Sequence, residues 1–153
     1  MSQIADVKTN IKANLDALKA AGTLGSVIMD DFKEDILSRD IPKFPCAILT
    51  TPAVGSDYET NRDNIRTFTF EIVVIQKGEN ITATSAIEDL IEAILNQFDN
   101  DPTLKGGGAS GVADGGVEPS TSQPDSIAAG DKTYVVFTVA IRARAIKSLT
   151  FTP

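Results

Sequence analysis

Residues 65–108 read IRTFTFEIVVIQKGENITATSAIEDLIEAILNQFDNDPTLKGGG, and two different periods follow one another inside this stretch. Phe68, Phe70, Ile72 and Val74 alternate with Thr67, Thr69, Glu71, Val73 and Ile75, the period of two expected of a strand with two distinct faces. The second of those faces starts polar and turns apolar. The pattern breaks at Lys77-Gly78, after which Ile87, Leu90, Ile91, Ile94, Leu95 and Phe98 recur at three- and four-residue spacing, a wide apolar stripe on an amphipathic helix. At about 1.5–3 kcal/mol for each large side chain fully buried, that stripe is expected to be the largest single contributor to the core. The helix stops where DNDP begins.

Outward from this unit the same reasoning places the remaining elements. Ile4, Val7, Ile11, Leu15 and Leu18 mark a first helix over 3–21, with Asp6 in its first turn, Lys19 in its last and Gly22 positioned to end it in a left-handed conformation. A short strand fits 26–29. The charged run KEDILSRD leads into Ile41-Pro42-Lys43-Phe44-Pro45, whose prolines force an extended approach to a strand over 46–51 closed by Pro52. The polar connection over 53–64 reads as the long tip of an antiparallel hairpin. In the last element Val135, Phe137, Val139, Ile141, Ala143 and Ala145 share one face, opposite Tyr134, Val136, Thr138, Ala140, Arg142 and Arg144.

The expected fold is therefore α+β: an antiparallel sheet of about four strands with two main amphipathic helices packed on it, and a long Gly-rich flexible loop over 103–131 before the last strand. Within that loop a short strand over 111–118 is the alternative to a segment ordered only by a partner. The chain of 153 residues is expected to form a single domain over 1–153. Val73, Ile75, Tyr134 and Val136 form an apolar patch on the second face, which either one helix or another subunit must cover.

Composition narrows the chemistry. The chain has no histidine and one cysteine, Cys46, so Ser-His-Asp and Cys-His nucleophile systems and histidine-containing zinc sites are excluded, as is a multi-thiolate site within one chain. Cys46, in FPCAILTT, reads as a core residue at the start of a buried strand. The first residues lack a basic segment followed by an apolar block, so folding in a reducing cytoplasm without a cleaved signal is expected. A net charge of −7 disfavours wrapping of nucleic acid and suits a passage better than a binding site.

Three superficial motifs fail on context. Asp99-Asn100-Asp101 resembles the start of a calcium loop, but Leu104 stands where that loop needs glycine and Ser110 where it needs a bidentate glutamate. Residues 106–111 satisfy G-x-G-x-x-G, yet follow a helix where the dinucleotide fingerprint follows a strand. The carboxylate pairs Asp30-Asp31 and Glu34-Asp35 read as a solvated face. No catalytic, cofactor or metal residue is expected. The candidate residues are for contact with another chain: Val73, Ile75, Tyr134 and Val136 by apolarity, Arg142 and Arg144 by their shared face and the acidic groups a neighbouring copy would offer, and Tyr58 and Arg62 at the hairpin tip.

Taken in order, the amphipathic first helix, the proline-led strand FPCAILTTP, the polar hairpin, the long strand RTFTFEIVVIQ, the helix AIEDLIEAILNQF, the Asp-Pro-x-Leu-x-Gly exit at 101–106, the variable Gly-rich stretch and the closing strand YVVFTVAIRARA resemble the tail terminator proteins of long-tailed bacteriophages and the related neck and tail-completion proteins. The resemblance implies a virion protein of the tail or neck, assembled in the host cytoplasm. It implies a homo-oligomeric ring, typically a hexamer, that caps the tail tube, stops its polymerisation and joins the head connector while DNA passes through the pore without specific binding. It implies no enzyme activity, no cofactor and no membrane. Alternatives are a neck or head-tail connector protein, a tail-completion protein or a tail-tube subunit. From another class, a monomeric ligand- or peptide-binding α+β module fits the same elements, with the Gly-rich segment as its lid.

Overall fold

The period-two stretch becomes one half of a long antiparallel ladder in which Asp63–Lys77 (β4) pairs with Lys132–Ser148 (β7) along its whole length, from Asp63↔Ser148 to Lys77↔Tyr134. The computed structural model describes residues 3–29, 41, 43–50, 52–58, 63–80, 84–108 and 111–148. Along the chain these form a helix Gln3–Ala20 (α1), strands Ser26–Met29 (β1), Cys46–Leu49 (β2), Ala53–Tyr58 (β3) and β4, and a 3-10 turn Gly78–Asn80. A helix Thr84–Asp99 (α2) and strands Gly116–Thr121 (β5), Asp125–Ala129 (β6) and β7 complete them. The molecule is α+β, with two helices and one seven-stranded sheet among the described residues.

Two expectations about the sheet are corrected. It is mixed, because β1 runs parallel to β2, and it has seven strands where about four were expected. The additional strands are short and lie along the flanks of the ladder. β2 and β3 follow each other along one side of β4, and β5 and β6 follow each other along the far side of β7. The first half of the polar hairpin tip is thus strand β3. The stretch 103–131, expected as a loop with a short strand over 111–118 as one alternative, holds β5, which overlaps that strand at 116–118, and β6, which closes on β7 through a two-residue Gly130-Asp131 turn, where Gly130 takes the positive φ of 65° that such a turn needs at its first position.

Both flanks carry the same irregularity. From Leu49↔Ile72 to Ala53↔Thr69 the flanking strand advances four positions while β4 advances three, and from Thr121↔Val139 to Asp125↔Val136 the same four-to-three step occurs against β7. Each step is a one-residue bulge, which bends the strand and moves the following side chains to the opposite face. Pro52 and Pro124 stand in them, where a missing N–H costs no ladder bond. Hydroxyls fill in: Thr50 donates from both N and Oγ1 to the Glu71 carbonyl at 3.1 and 2.9 Å. Opposite, Ser122 N donates to the Thr138 carbonyl and Thr138 N to Ser122 Oγ, both at 2.8 Å.

The front of the sheet packs under both helices in one core of Phe68, Phe70, Ile72 and Val74 from β4, Phe137, Val139 and Ile141 from β7, Val7, Ile11 and Leu15 from α1, and Ile87, Leu90, Ile94 and Phe98 from α2. These are the stripes the two periods assign. α1 ends as expected at Gly22, with φ at 85°: Thr23 N donates to the Leu18 carbonyl and Gly22 N to that of Lys19, the paired bonds of a Schellman cap. The back holds a second, smaller cluster of Cys46, Ile48, Val73 and Ile75, with Ile28, Ile41, Phe44, Tyr134 and Val136 packed against it.

Candidate interaction surfaces

The eight candidate contact residues fall into four pairs. Val73 and Ile75 are 6% and 0% exposed within the single chain, so they offer no surface to a partner. The physical reason is the approach to β2: Phe44 stacks on Tyr134 with ring centroids 5.8 Å apart, and Lys77 Nζ lies 5.1 Å above the Phe44 ring. Ile41 closes the same cluster from the chain just ahead. Tyr134 and Val136 are its half-buried rim. Arg62 and the Tyr58 side chain lie outside the described residues; the Tyr58 backbone pairs with Asn64.

Arg142 and Arg144 keep the placement their parity assigns, on the back of β7, while Ile141, Ala143 and Ala145 between and beside them are buried on the front. Arg142 stands opposite Thr69 on β4 and Glu118 on β5, and Arg144 opposite Thr67 and Gly116. Glu118 Oε1 reaches Arg144 Nη2 at 4.0 Å, between side chains that are 64% and 39% exposed. An ion pair this exposed adds little to stability. Arg142 is exposed and makes no ion pair among the described residues.

The sequence reading passed over two sets of residues. On the outer side of α2, Glu88, Asp89, Glu92 and Asp99 are all exposed, and the helix contains no lysine or arginine. The signal was present in SAIEDLIEAILNQFD as four carboxylates with no basic residue, but attention to the apolar stripe hides the opposite side. The second set is a polar clamp at the exit of α2. Asp101 accepts from Asn14 Nδ2 at 2.9 Å, Lys105 N at 2.7 Å and Gly106 N at 2.8 Å. Asn14 in turn accepts from Gln97 Nε2 at 2.8 Å, and Asn10 Nδ2 donates to the Leu104 carbonyl at 2.9 Å.

This clamp explains the Asp-Pro-x-Leu-x-Gly spacing in physical terms. The Asp101 carboxylate holds the turn, and Leu104 adopts a φ of 58° so that its side chain is fully buried. Gly106, also at φ 58°, comes so close to α1 that a Cβ there would stand 2.9 Å from Asn10 Cα. Burial opposes ionisation of Asp101, but the hydrogen bonds from Asn14, Gly106 and Lys105, with the Lys105 charge, outweigh it and hold the carboxyl below its ordinary value. Asp101 is thus committed to tying α1 to α2, not to a cation. Burial pushes the Cys46 thiol up, against a smaller opposing hydrogen bond with Ser26, and the side chain sits fully inside the back cluster.

Two clefts remain. One, of about 470 Å³, lies at the β6–β7 turn and mixes Lys77 and Lys132 with Glu79 and Asp131. Another, of about 430 Å³, runs between Pro45, Thr23 and the α2 residues Ile87, Asp89 and Leu90. Among the described residues no group of three or more His, Cys, Asp or Glu is placed to hold a metal, and no helix is long and apolar enough to cross a membrane. Comparison with protein-family models finds no match, and comparison with curated proteins finds none.

Proposed function

We propose that this chain is a structural subunit of a bacteriophage tail, a terminator that assembles with copies of itself into a ring, caps the tail tube and presents the surface to which the head connector joins. The observation that carries the reading is the order of elements: an amphipathic α1, a proline-led β2, a polar hairpin into the long β4, α2 leaving through Asp-Pro-x-Leu-x-Gly, and the closing β7. In this reading the working parts are faces and edges of the sheet, with no catalytic residue and no cofactor. The chain's net charge of −7 suits a passage through which DNA slides without being held.

Electron microscopy of particles assembled without this protein tests the role. Overlong or headless tails are the expected result, whereas missing tubes assign the chain to the tube itself, and normal tails with heads attached overturn the reading.

A further inference from the structure

Two oppositely charged surfaces lie on opposite sides of this molecule, where they cannot meet within one chain. α2 packs on the front of the sheet through Ile87, Leu90, Ile94 and Phe98, which leaves Glu88, Asp89 and Glu92 facing outward. Arg142 and Arg144 stand on the back, because the residues alternating with them on β7 belong to the front core. Glu88 and Glu92 are four residues apart on a helix, which sets their Cβ atoms about 5–6 Å from each other. Arg142 and Arg144 are two residues apart on a strand, a separation of about 7 Å. The two pairs are therefore alike in spacing and opposite in sign.

Among the described residues neither pair is fully neutralised by its surroundings. Like charges at i and i+4 weaken a helix, and no basic residue of α2 relieves Glu88 and Glu92. On α1, Lys12 is engaged with its own Asp16 at 2.9 Å. On the back face Glu118 answers only one of the two guanidinium groups.

We infer that the outer surface of α2 in one copy docks on the Arg142–Arg144 face of the next copy, Glu88 and Glu92 pairing with the two arginines. Front meets back, so the contact is heterologous: each copy uses one surface to give and the other to receive, and repetition about an axis closes a ring. Charge complementarity of this kind selects partner and register more than it adds affinity, and it weakens with salt. The inference deepens the proposed function and rests on its self-assembly, not on the identity of the tail.

Charge exchange tests it. Two variants, Arg142→Glu with Arg144→Glu and Glu88→Lys with Glu92→Lys, are each weighed by sedimentation velocity beside the wild type, with circular dichroism confirming helix content. Each alone should raise the concentration at half-assembly by about 10-fold or more, because acidic then meets acidic or basic meets basic. Mixed in equal amounts they should assemble again, alternating around the ring, and one chain carrying all four substitutions should assemble by itself. A wild type that assembles while either variant alone assembles equally well, or while the mixture fails to recover, overturns this contact and leaves the ring intact. A wild type that stays monomeric overturns the proposed function and this contact with it.

Discussion

On the front of the sheet, Phe68, Phe70, Ile72 and Val74 of β4 stand opposite Ala143, Ile141, Val139 and Phe137 of β7, an unbroken apolar surface closed by two helices. On the back the same two strands change character halfway. Val73 and Ile75, with Ile48 and Cys46 beside them, are sealed by Phe44, Ile41 and Tyr134, whereas Thr67 and Thr69 stand opposite Arg144 and Arg142. The comparison separates two uses of a strand. Where the chain supplies its own cover the residues hold the fold, and where an exposed arginine makes no ion pair among the described residues lies the surface we propose for a second copy.

Substitutions ranked by effect can break or sharpen that separation. Phe70→Ala, in the fully buried front core, should destabilise by about 3–5 kcal/mol, read as a lower urea midpoint. Ile75→Ala should cost about 2 kcal/mol, the low end for such truncations, because its cluster is small and open at the Tyr134 rim. A cost as large as that of Phe70→Ala would make the two faces energetically equal. Gly106→Ala should cost about 1–2 kcal/mol from the left-handed backbone alone, with the approach to Asn10 adding to it.

Asp101→Asn should cost about 1 kcal/mol at neutral pH, a modest value because the carboxylate is partly solvated. The folded carboxyl is held below its ordinary value, so its contribution is complete above the unfolded pKa near about 3.9 and is lost as pH falls through the lower folded value. The gap between wild type and Asp101→Asn should therefore shrink with acidification below about pH 4, measured by thermal unfolding across that range. Arg142→Glu, on the exposed back, should change the stability of the folded chain by no more than about 0.5 kcal/mol. A larger loss would place Arg142 among the residues that hold the fold.

The same contrast explains what could be read from the sequence. The front face was legible because both its strands and both helices repeat apolar residues at one fixed period, and Gly22 marked the end of α1. β3 and β6 were not, and β5 only through the strand offered over 111–118, which overlaps it at 116–118. AVGSDY, GVEPST and DSIAA carry no clean alternation, since they lie on the flanks of the ladder with much of their length exposed, and a bulge on each flank inverts parity between consecutive strands. Their conformation is imposed by pairing with β4 and β7. The cover over Val73 and Ile75 was hidden for a related reason: Ile41 and Phe44 are isolated apolar residues in irregular sequence and Ile28 lies in the four-residue β1, too short to show a period, so nothing announces that they converge. Arg142 and Arg144 were placed on the correct face by parity alone, while the acidic surface opposite required knowing that α2 lies on the front.

The mass of the wild-type protein in solution, measured across a concentration series and again after mixing with tail tubes, tests the self-assembling reading most directly. Closed assemblies of several copies, or capture of the chain at tube ends, are the expected result. A chain that remains monomeric at the highest concentration and leaves the tubes bare would contradict it.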